Sequence, residues 1–354
     1  MKSIQIKSSL YDYEVVFTND FTSVTFGKST ELAYIIDRNI YNLYAPCFKG
    51  VQESHIFLIN AVENEKNMDT VMNMIEFFHG LSVKKNWKVV CFGGGITQDV
   101  TTIACNLYLR NIDWYFVPTT LLSMCDSCIG GKCGINYKHI KNQIGVFYPP
   151  KKIYIDTHFL STLKDADYIN GWGEIVKFSL TKDNIFFKEL LEEKSFIPCG
   201  NIEKYICQGL LVKKAIIEQD EFESDLRRVL NYGHTFGHAL EAYTNNDIPH
   251  GMGVLWGMDV VNYIAYREGK ISLDYYKQIK SFICDNFLKS EIVIENANRL
   301  FDLVKTDKKV RNNTISLALL DGSSHLIVYP MELGGLLREY FVDYLEESHD
   351  YYCH

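Results

Sequence analysis

The stretch KVVCFGGGITQD, Lys88 to Asp99, limits the first half of this chain to few folds. An apolar run of strand length stops at three glycines, and DVTTIACNLYLR continues at helical spacing. A strand that feeds a glycine turn and then a helix is the repeating unit of a parallel sheet. LAYIID, HIFLIN, DWYFVPTT and KKIYID read as further buried strands. MDTVMNMIEFFHGLSV carries Val71, Ile75, Phe78 and Leu81 at helical intervals. The alternation predicts a doubly wound, Rossmann-like α/β domain with a mostly parallel sheet over residues 1–157.

After Thr157 the pattern changes. ADYINGWGEIVKFSLT, NIFFKELLEE, IEKYICQGLLVKKAIIEQ, GMGVLWGMDVVNYIAYREG and MELGGLLREYFVDYLEES all read as helices. TISLALL and HLIVYP, joined by DGSS, read as a hairpin. Residues 158–354 are therefore expected to form a mainly α-helical second domain. A chain of 354 residues can bury two cores.

Composition narrows the function classes. A net charge of −8 argues against a nucleic-acid surface. No apolar run reaches membrane-span length, and the N-terminus lacks a signal-peptide core. Ten cysteines without framework spacing suit reduced thiols. The expectation is a cytoplasmic protein without a nucleic-acid or membrane partner. Cys125, Cys128 and Cys133 in MCDSCIGGKC have no second cysteine or Cys-His pair nearby to complete a zinc site, so packing is favoured over a metal or redox role.

Four features could carry chemistry. GGGITQD, Gly93 to Asp99, is either a phosphate cradle or a tight βα turn, and the residues alone do not decide. Asp37 ends an early strand, where a carboxylate could accept ribose hydroxyls. A second glycine-rich loop, SCIGGKCGINYKHIKNQIG, adds Lys132, Lys141 and Asn142. LNYGHTFGHALEAYTNNDIPHGMG, Leu230 to Gly253, holds His234, His238 and His250. By spacing alone these are metal ligands, acid/base groups or ordinary helix histidines.

In order along the chain, GGGITQD, YLR, VPTTLLSMCDSCIGGKCGIN, KNQIGVFYPPK, NGWGEIVKF and RRVLNYGHTFGHALEA…HG resemble the sugar-phosphate cyclases, most closely the 3-dehydroquinate synthases. The likeness is dense from Gly93 to Gly251 and thinner on either side. It implies an NAD-binding α/β domain, a helical metal- and substrate-binding domain, an active site between them, and a homodimer. The implied substrate is a small sugar phosphate, here a seven-carbon keto-acid phosphate. In that chemistry an alcohol is transiently oxidised by NAD⁺, phosphate leaves by β-elimination, the hydride returns, and an aldol step closes a carbocycle.

The resemblance also assigns residues. The divalent metal, zinc or alternatively cobalt, would fall on Glu174, His234 and His250. His238, Lys132, Lys177 and Asn231 would be catalytic. Arg110, Lys132, Asn142, Lys177, Lys213, Arg227, Asn231, His238, Lys308 and Lys309 would bind substrate, with Arg110 reaching the neighbouring subunit's site. NAD would contact Asp37, Asn39, Glu63, Lys66, Gly94, Gly95, Ile96, Thr97, Asp99, Thr119, Thr120, Asp126, Lys132, Lys141, Phe159 and Thr162.

Some positions depart from the family pattern. Gln98 replaces a glycine in the phosphate turn, which is costly if that residue needs φ > 0. Met252 replaces a glutamate after the His-Gly pair, removing a carboxylate near the metal. Trp172 and Gly173 precede Glu174 in place of more usual residues, and Cys125 and Cys128 flank Asp126. These changes keep open a sister cyclase, of the 2-epi-5-epi-valiolone or 2-deoxy-scyllo-inosose synthase kind. A metal-dependent polyol dehydrogenase is a further alternative.

Overall fold

A computed structural model describes residues 2–21, 31–138, 140–181, 184–245, 247–288, 292–306, 310, 312–322 and 325–352. The chain divides into two compact units. One is 1–163 with 213–222, and the other is 164–212 with 223–354. The division lies past residue 157, and Lys213–Phe222 belongs with the first unit.

The first unit is built on a seven-stranded sheet. Its strands are β1 (Ser3–Ile6), β2 (Tyr13–Phe17), β3 (Leu32–Asp37), β4 (Ile56–Ile59), β5 (Lys88–Gly93), β6 (Trp114–Pro118) and, after the hairpin of β7 (Lys132–Tyr137) and β8 (Ile140–Phe147), β9 (Lys152–Ile155). The spatial order is β1-β2-β9-β6-β5-β3-β4, parallel except for the β1/β2 pair. Ala33, Ile35, Ile36, Val89, Val90 and Cys91 are fully buried. A strand covered on both faces needs such continuous apolar runs, which is why these segments read clearly in the sequence.

Helices α1 (Arg38–Leu43), α2 (Met68–Gly80) and α3 (Gly95–Leu107) connect these strands. The chain leaves β3 outward to β4, then returns to the other side of β3 as β5. The order therefore reverses between β3 and β5. In an open α/β sheet, a crevice forms beyond the carboxyl ends of the strands at such a point. Helix α3 starts at Gly95, earlier than the sequence pattern suggested, with Gly94 as its N-cap. The second glycine-rich loop, read from sequence as irregular, is the β7/β8 hairpin. Its glycines have a steric reason: a Cβ on Gly145 would lie 2.5 Å from the Cys133 carbonyl oxygen. On α2 the buried face is Val71, Met74 and Phe78, so Met74 takes the place expected for Ile75.

The second unit contains α4 (Asp165–Ser179), α5 (Asn184–Leu191), the first part of α6 (Ile202–Ile217), α7 (His234–Tyr243), α8 (His250–Arg267), α9 (Leu273–Asn286), α10 (Ala297–Lys305) and α11 (Gly335–Tyr352). The antiparallel hairpin β10 (Thr314–Asp321) and β11 (His325–Glu332) completes it. Every residue of α8 from Gly251 to Ala265 is buried. A helix covered on all sides is the axis of its domain, and α4, α7, α9 and α11 pack against it. The α7/α8 crossing is made backbone to backbone. A Cβ on Gly257 would sit 2.0 Å from the Gly233 carbonyl oxygen, and one on Gly237 would sit 2.7 Å from that of Gly253.

Trp172 is fully buried on α4. Its Nε1 donates to the Phe196 carbonyl at 2.9 Å, and its ring lies edge-on to Phe196, 4.9 Å away. All nine described cysteines are free thiols, and Cys125 and Cys128 are buried. Among the described residues no helix is long and apolar enough to cross a membrane.

Two glycines should respond in opposite directions. Gly257→Ala drives a methyl group into the Gly233 carbonyl and should lower stability in urea unfolding by about 1–3 kcal/mol or more. Gly80→Ala meets nothing within 4 Å at the exposed end of α2 and should raise stability by about 0.5–1 kcal/mol.

Candidate metal and nucleotide sites

The α7/α8 crossing brings three histidines together. His234 and His238 lie one turn apart on α7, and His250 is the first residue of α8. Glu174 of α4 completes the group. Its Oε1 is 3.3 Å from His234 Nε2 and 3.4 Å from His250 Nε2. Its carboxylate is 1 % exposed and forms an ion pair with Lys177 Nζ one turn on.

The opposite ring edges fix what the Nε2 atoms present. His234 Nδ1 is 3.1 Å from the Tyr232 carbonyl oxygen, and His250 Nδ1 is 2.8 Å from Glu241 Oε1. A carbonyl and a carboxylate only accept, so both Nδ1 atoms donate. With both rings neutral, two Nε2 lone pairs would face a carboxylate oxygen. Three donors facing one point repel one another unless a cation sits among them. Two imidazoles hydrogen-bonded from behind, with a carboxylate ion-paired to a lysine, are the donor set of a catalytic divalent metal with open positions.

The electrostatics agree. Burial resists ionisation of Glu174, yet the Lys177 ammonium and the His234 ring hold its carboxyl well below the usual range. Burial keeps His234 below the ordinary imidazole range, against the pull of Glu174. Burial also opposes charge on His250, but hydrogen bonds to Glu174 and Glu241 outweigh it and raise the ring to about 10. Without a metal, a proton on His250 supplies the positive charge that the donors require.

Glu174, His234 and His250 place ligand atoms within 4.8 Å of one another, and so do His238, Glu241 and His250. The Glu241–His250 contact is a hydrogen bond to Nδ1, so Glu241 stands behind that ring and the first set is the candidate metal site. His238 is exposed. Its ring centroid is 5.4 Å from that of His234 and 5.7 Å from that of His250, close enough to face anything bound at the open positions.

Glu241 is the residue that sequence reasoning missed. It follows His234 and His238 by seven and three positions and so shares their face of α7. Met252 is buried on α8, and the carboxylate behind His250 is that of Glu241.

The remaining substrate candidates of this unit lie on its connecting turns. Arg227 is buried in the turn Leu226–Asn231. Asn231 Nδ2 donates to Glu223 Oε1 at 2.9 Å. Lys308 and Lys309 fall outside the described residues.

In the first unit, Asp37 ends β3 and caps α1, accepting from Asn39 N at 2.9 Å, and burial raises its pKa. Across the switch point, Gly94, Gly95, Ile96 and Thr97 open α3, and no side chain caps its N-terminus. A Cβ on Gly95 would meet only Ser127 Oγ, 4.0 Å away. Bare amides beside open space form an anion cradle, which fits the pyrophosphate of a dinucleotide.

Gln98 is helical and does not need positive φ. Its amide instead clasps Ser127, donating to the carbonyl at 2.7 Å and accepting from Oγ at 2.6 Å. Asp99 pairs with Lys66 at 2.6 Å, and Lys66 also donates to Asn142 at 2.8 Å. Residues expected for cofactor and for substrate are thus tied in one knot. Glu63 joins it by accepting from Asn136 at 2.7 Å.

Thr119 and Thr120 follow β6, where Thr120 bonds Ser123 at 2.9 Å. Lys213 reaches Asp126 at 3.1 Å, so its charge is matched within this unit. Phe159 packs on Phe21 and Tyr44, and Thr162 Oγ1 is 3.2 Å from the Tyr44 hydroxyl. Lys132 and Lys141 are exposed on the β7/β8 hairpin. Arg110 is exposed in a turn where Leu109, Arg110 and Asn111 all have positive φ. Lys85 Nζ holds this turn by donating to the Arg110 carbonyl at 2.7 Å.

The family models described as 3-dehydroquinate synthase N-terminal and C-terminal match residues 56–170 and 171–310. The 3-dehydroquinate synthase of Alkaliphilus metalliredigens is 33% identical over 330 residues, covering 89% of this chain and 93% of that protein. The chain belongs to the 3-dehydroquinate synthase family.

Among solved structures, a 2-deoxy-scyllo-inosose synthase complexed with carbaglucose-6-phosphate, NAD⁺ and Co²⁺ superposes with TM-score 0.85 at 23% identity, covering 97% of this chain and 99% of that one. A 2-epi-5-epi-valiolone synthase of Streptomyces hygroscopicus with NAD⁺ and Zn²⁺ bound gives 0.82 at 22% identity, covering 96% and 97%. These likenesses fix the fold as that of the 3-dehydroquinate synthase family.

Two substitutions separate ligand from neighbour. His250→Ala should abolish stoichiometric metal in elemental analysis. His238→Ala should keep the metal and lose turnover. Metal retained in the first and lost in the second would reverse the assignment.

Proposed function

We propose that this chain is an NAD- and metal-dependent 3-dehydroquinate synthase, a carbon–oxygen lyase that releases phosphate from a seven-carbon keto-acid phosphate and closes its carbon ring. The observation that carries this reading is the convergence of Glu174, His234 and His250 in a chain 33% identical to a 3-dehydroquinate synthase. When bound, NAD accepts and returns a hydride, and the metal polarises the substrate's hydroxyl oxygens.

This chain's own residues do the rest. Asp37 and Asn39 meet the adenosine ribose. Gly94, Gly95, Ile96 and Thr97 offer amides to the pyrophosphate. Glu63, Lys66, Asp99, Thr119, Thr120, Asp126, Lys132, Lys141, Phe159 and Thr162 complete the nucleotide set.

Lys132, Asn142, Lys308 and Lys309 neutralise the substrate phosphate. The buried Arg227 takes the carboxylate, and Asn231 and Lys213 complete the substrate-binding set. Lys213 is paired with Asp126 within the first unit. Lys177 keeps Glu174 ionised. His238, exposed at the mouth of the metal site, moves protons on the ring hydroxyls. Arg110, held outward by its left-handed turn, serves the neighbouring protomer in a homodimer acting in the cytoplasm.

A sister cyclase acting on a neutral-headed sugar phosphate is the second reading, favoured by the fold likeness to two such enzymes. Phosphate release separates the two. Protein supplied with NAD and zinc should turn over the keto-acid phosphate faster than sedoheptulose 7-phosphate or glucose 6-phosphate. Arg227→Ala should lower kcat/KM for the keto-acid by roughly ten- to a hundredfold, the worth of one charge-assisted hydrogen bond of about 1.5–3 kcal/mol. Faster release from a neutral-headed sugar phosphate would overturn the assignment.

A further inference from the structure

We infer that Asn170 is a positioning residue for the metal site: it caps helix α8 from helix α4 and so sets where His250 stands relative to Glu174. The inference rests on the metal site proposed above.

Helix α8 begins at His250, and the residue before it is Pro249, which has no side-chain hydrogen bond to give the first turn. An N-cap side chain ordinarily accepts from the second or third helical amide. Here the second amide, Gly251 N, donates to Asn170 Oδ1 at 2.8 Å. The cap comes from another helix. Asn170 precedes Glu174 by four residues, so the two share one face of α4. The helix that carries one ligand therefore holds the amide next to the other.

Sterics at the same place make the clasp tight. A Cβ on Gly251 would lie 2.4 Å from the Asn170 Cα and carbonyl oxygen. A Cβ on Gly173 would lie 2.6 Å from the Gly251 carbonyl oxygen. The two backbones touch on both sides of the hydrogen bond, between Asn170 and Glu174 on one helix and beside His250 on the other. His250 is further fixed by Glu241 behind Nδ1. Glu241 orients the ring, whereas Asn170 fixes the backbone that carries it. Asn170 is not among the donors that converge on the metal, so its contribution runs wholly through His250.

The test uses the full chain with its metal. Zinc affinity is measured by competition with a chromophoric chelator for wild type, Asn170→Ala, Asn170→Asp and His250→Ala, together with phosphate release at rising zinc and the thermal midpoint of the zinc-free proteins. Asn170→Ala should bind zinc about ten- to a hundredfold more weakly, the usual effect of losing a group that orients a ligand. Added zinc should restore its turnover. Asn170→Asp keeps the acceptor and should stay near wild-type affinity. Asn170→Leu keeps bulk without an acceptor and gives the same reading should the alanine chain not fold. Affinity of the alanine or leucine variant within about twofold of wild type, or an aspartate variant as weak as alanine, would overturn the role of Asn170. A wild-type chain that binds no zinc, or a His250→Ala chain that keeps it, would overturn the metal site instead.

Discussion

Two imidazole nitrogens and a carboxylate oxygen face one another at the meeting of three helices, and the second unit is arranged around that convergence. Such a group is unstable by itself, because its lone pairs repel and its carboxylate is cut off from water. Each member is held by a partner that cannot yield. The Tyr232 carbonyl and Glu241 fix the two rings. Lys177 keeps the carboxylate charged in spite of burial. The glycines at the helix crossings let the backbones approach until the side chains meet. A cation resolves the remaining repulsion.

The first unit answers a different constraint. Strand order reverses between β3 and β5, so Asp37 and the Gly94 turn stand on either side of one crevice. Leaving the α3 N-terminus without a side-chain cap would waste hydrogen bonds in a helix of purely structural use. Beside Gly95 it leaves the amides to an anion. Gln98 fits this plan differently from a glycine: its side chain leaves the helix for Ser127 and ties α3 to the turn that also carries Asp126.

Much of this was legible in the amino-acid order because burial on both faces demands unbroken apolar runs. LAYIID and KVVCFG are such runs, and both are central strands. The candidate ligands stood out through the spacing of His234, His238 and His250, but the spacing alone did not say which of them would bind. The family resemblance picked His234 and His250 with Glu174, and the fold brings those three together. Glu241 was hidden because a glutamate on a helix is ordinarily a solvated charge, and nothing local shows that His250 folds back onto it. The β7/β8 hairpin was read as loop because its glycines, needed for close strand contact, carry no β signal.

X-ray absorption at the zinc edge of the purified protein tests the convergence most directly. The account predicts a first shell of nitrogen and oxygen alone at about 2.0–2.2 Å, with the outer scattering of two imidazoles. Sulfur scatterers at about 2.3 Å would place the metal on the Cys125–Cys133 segment instead and contradict the account.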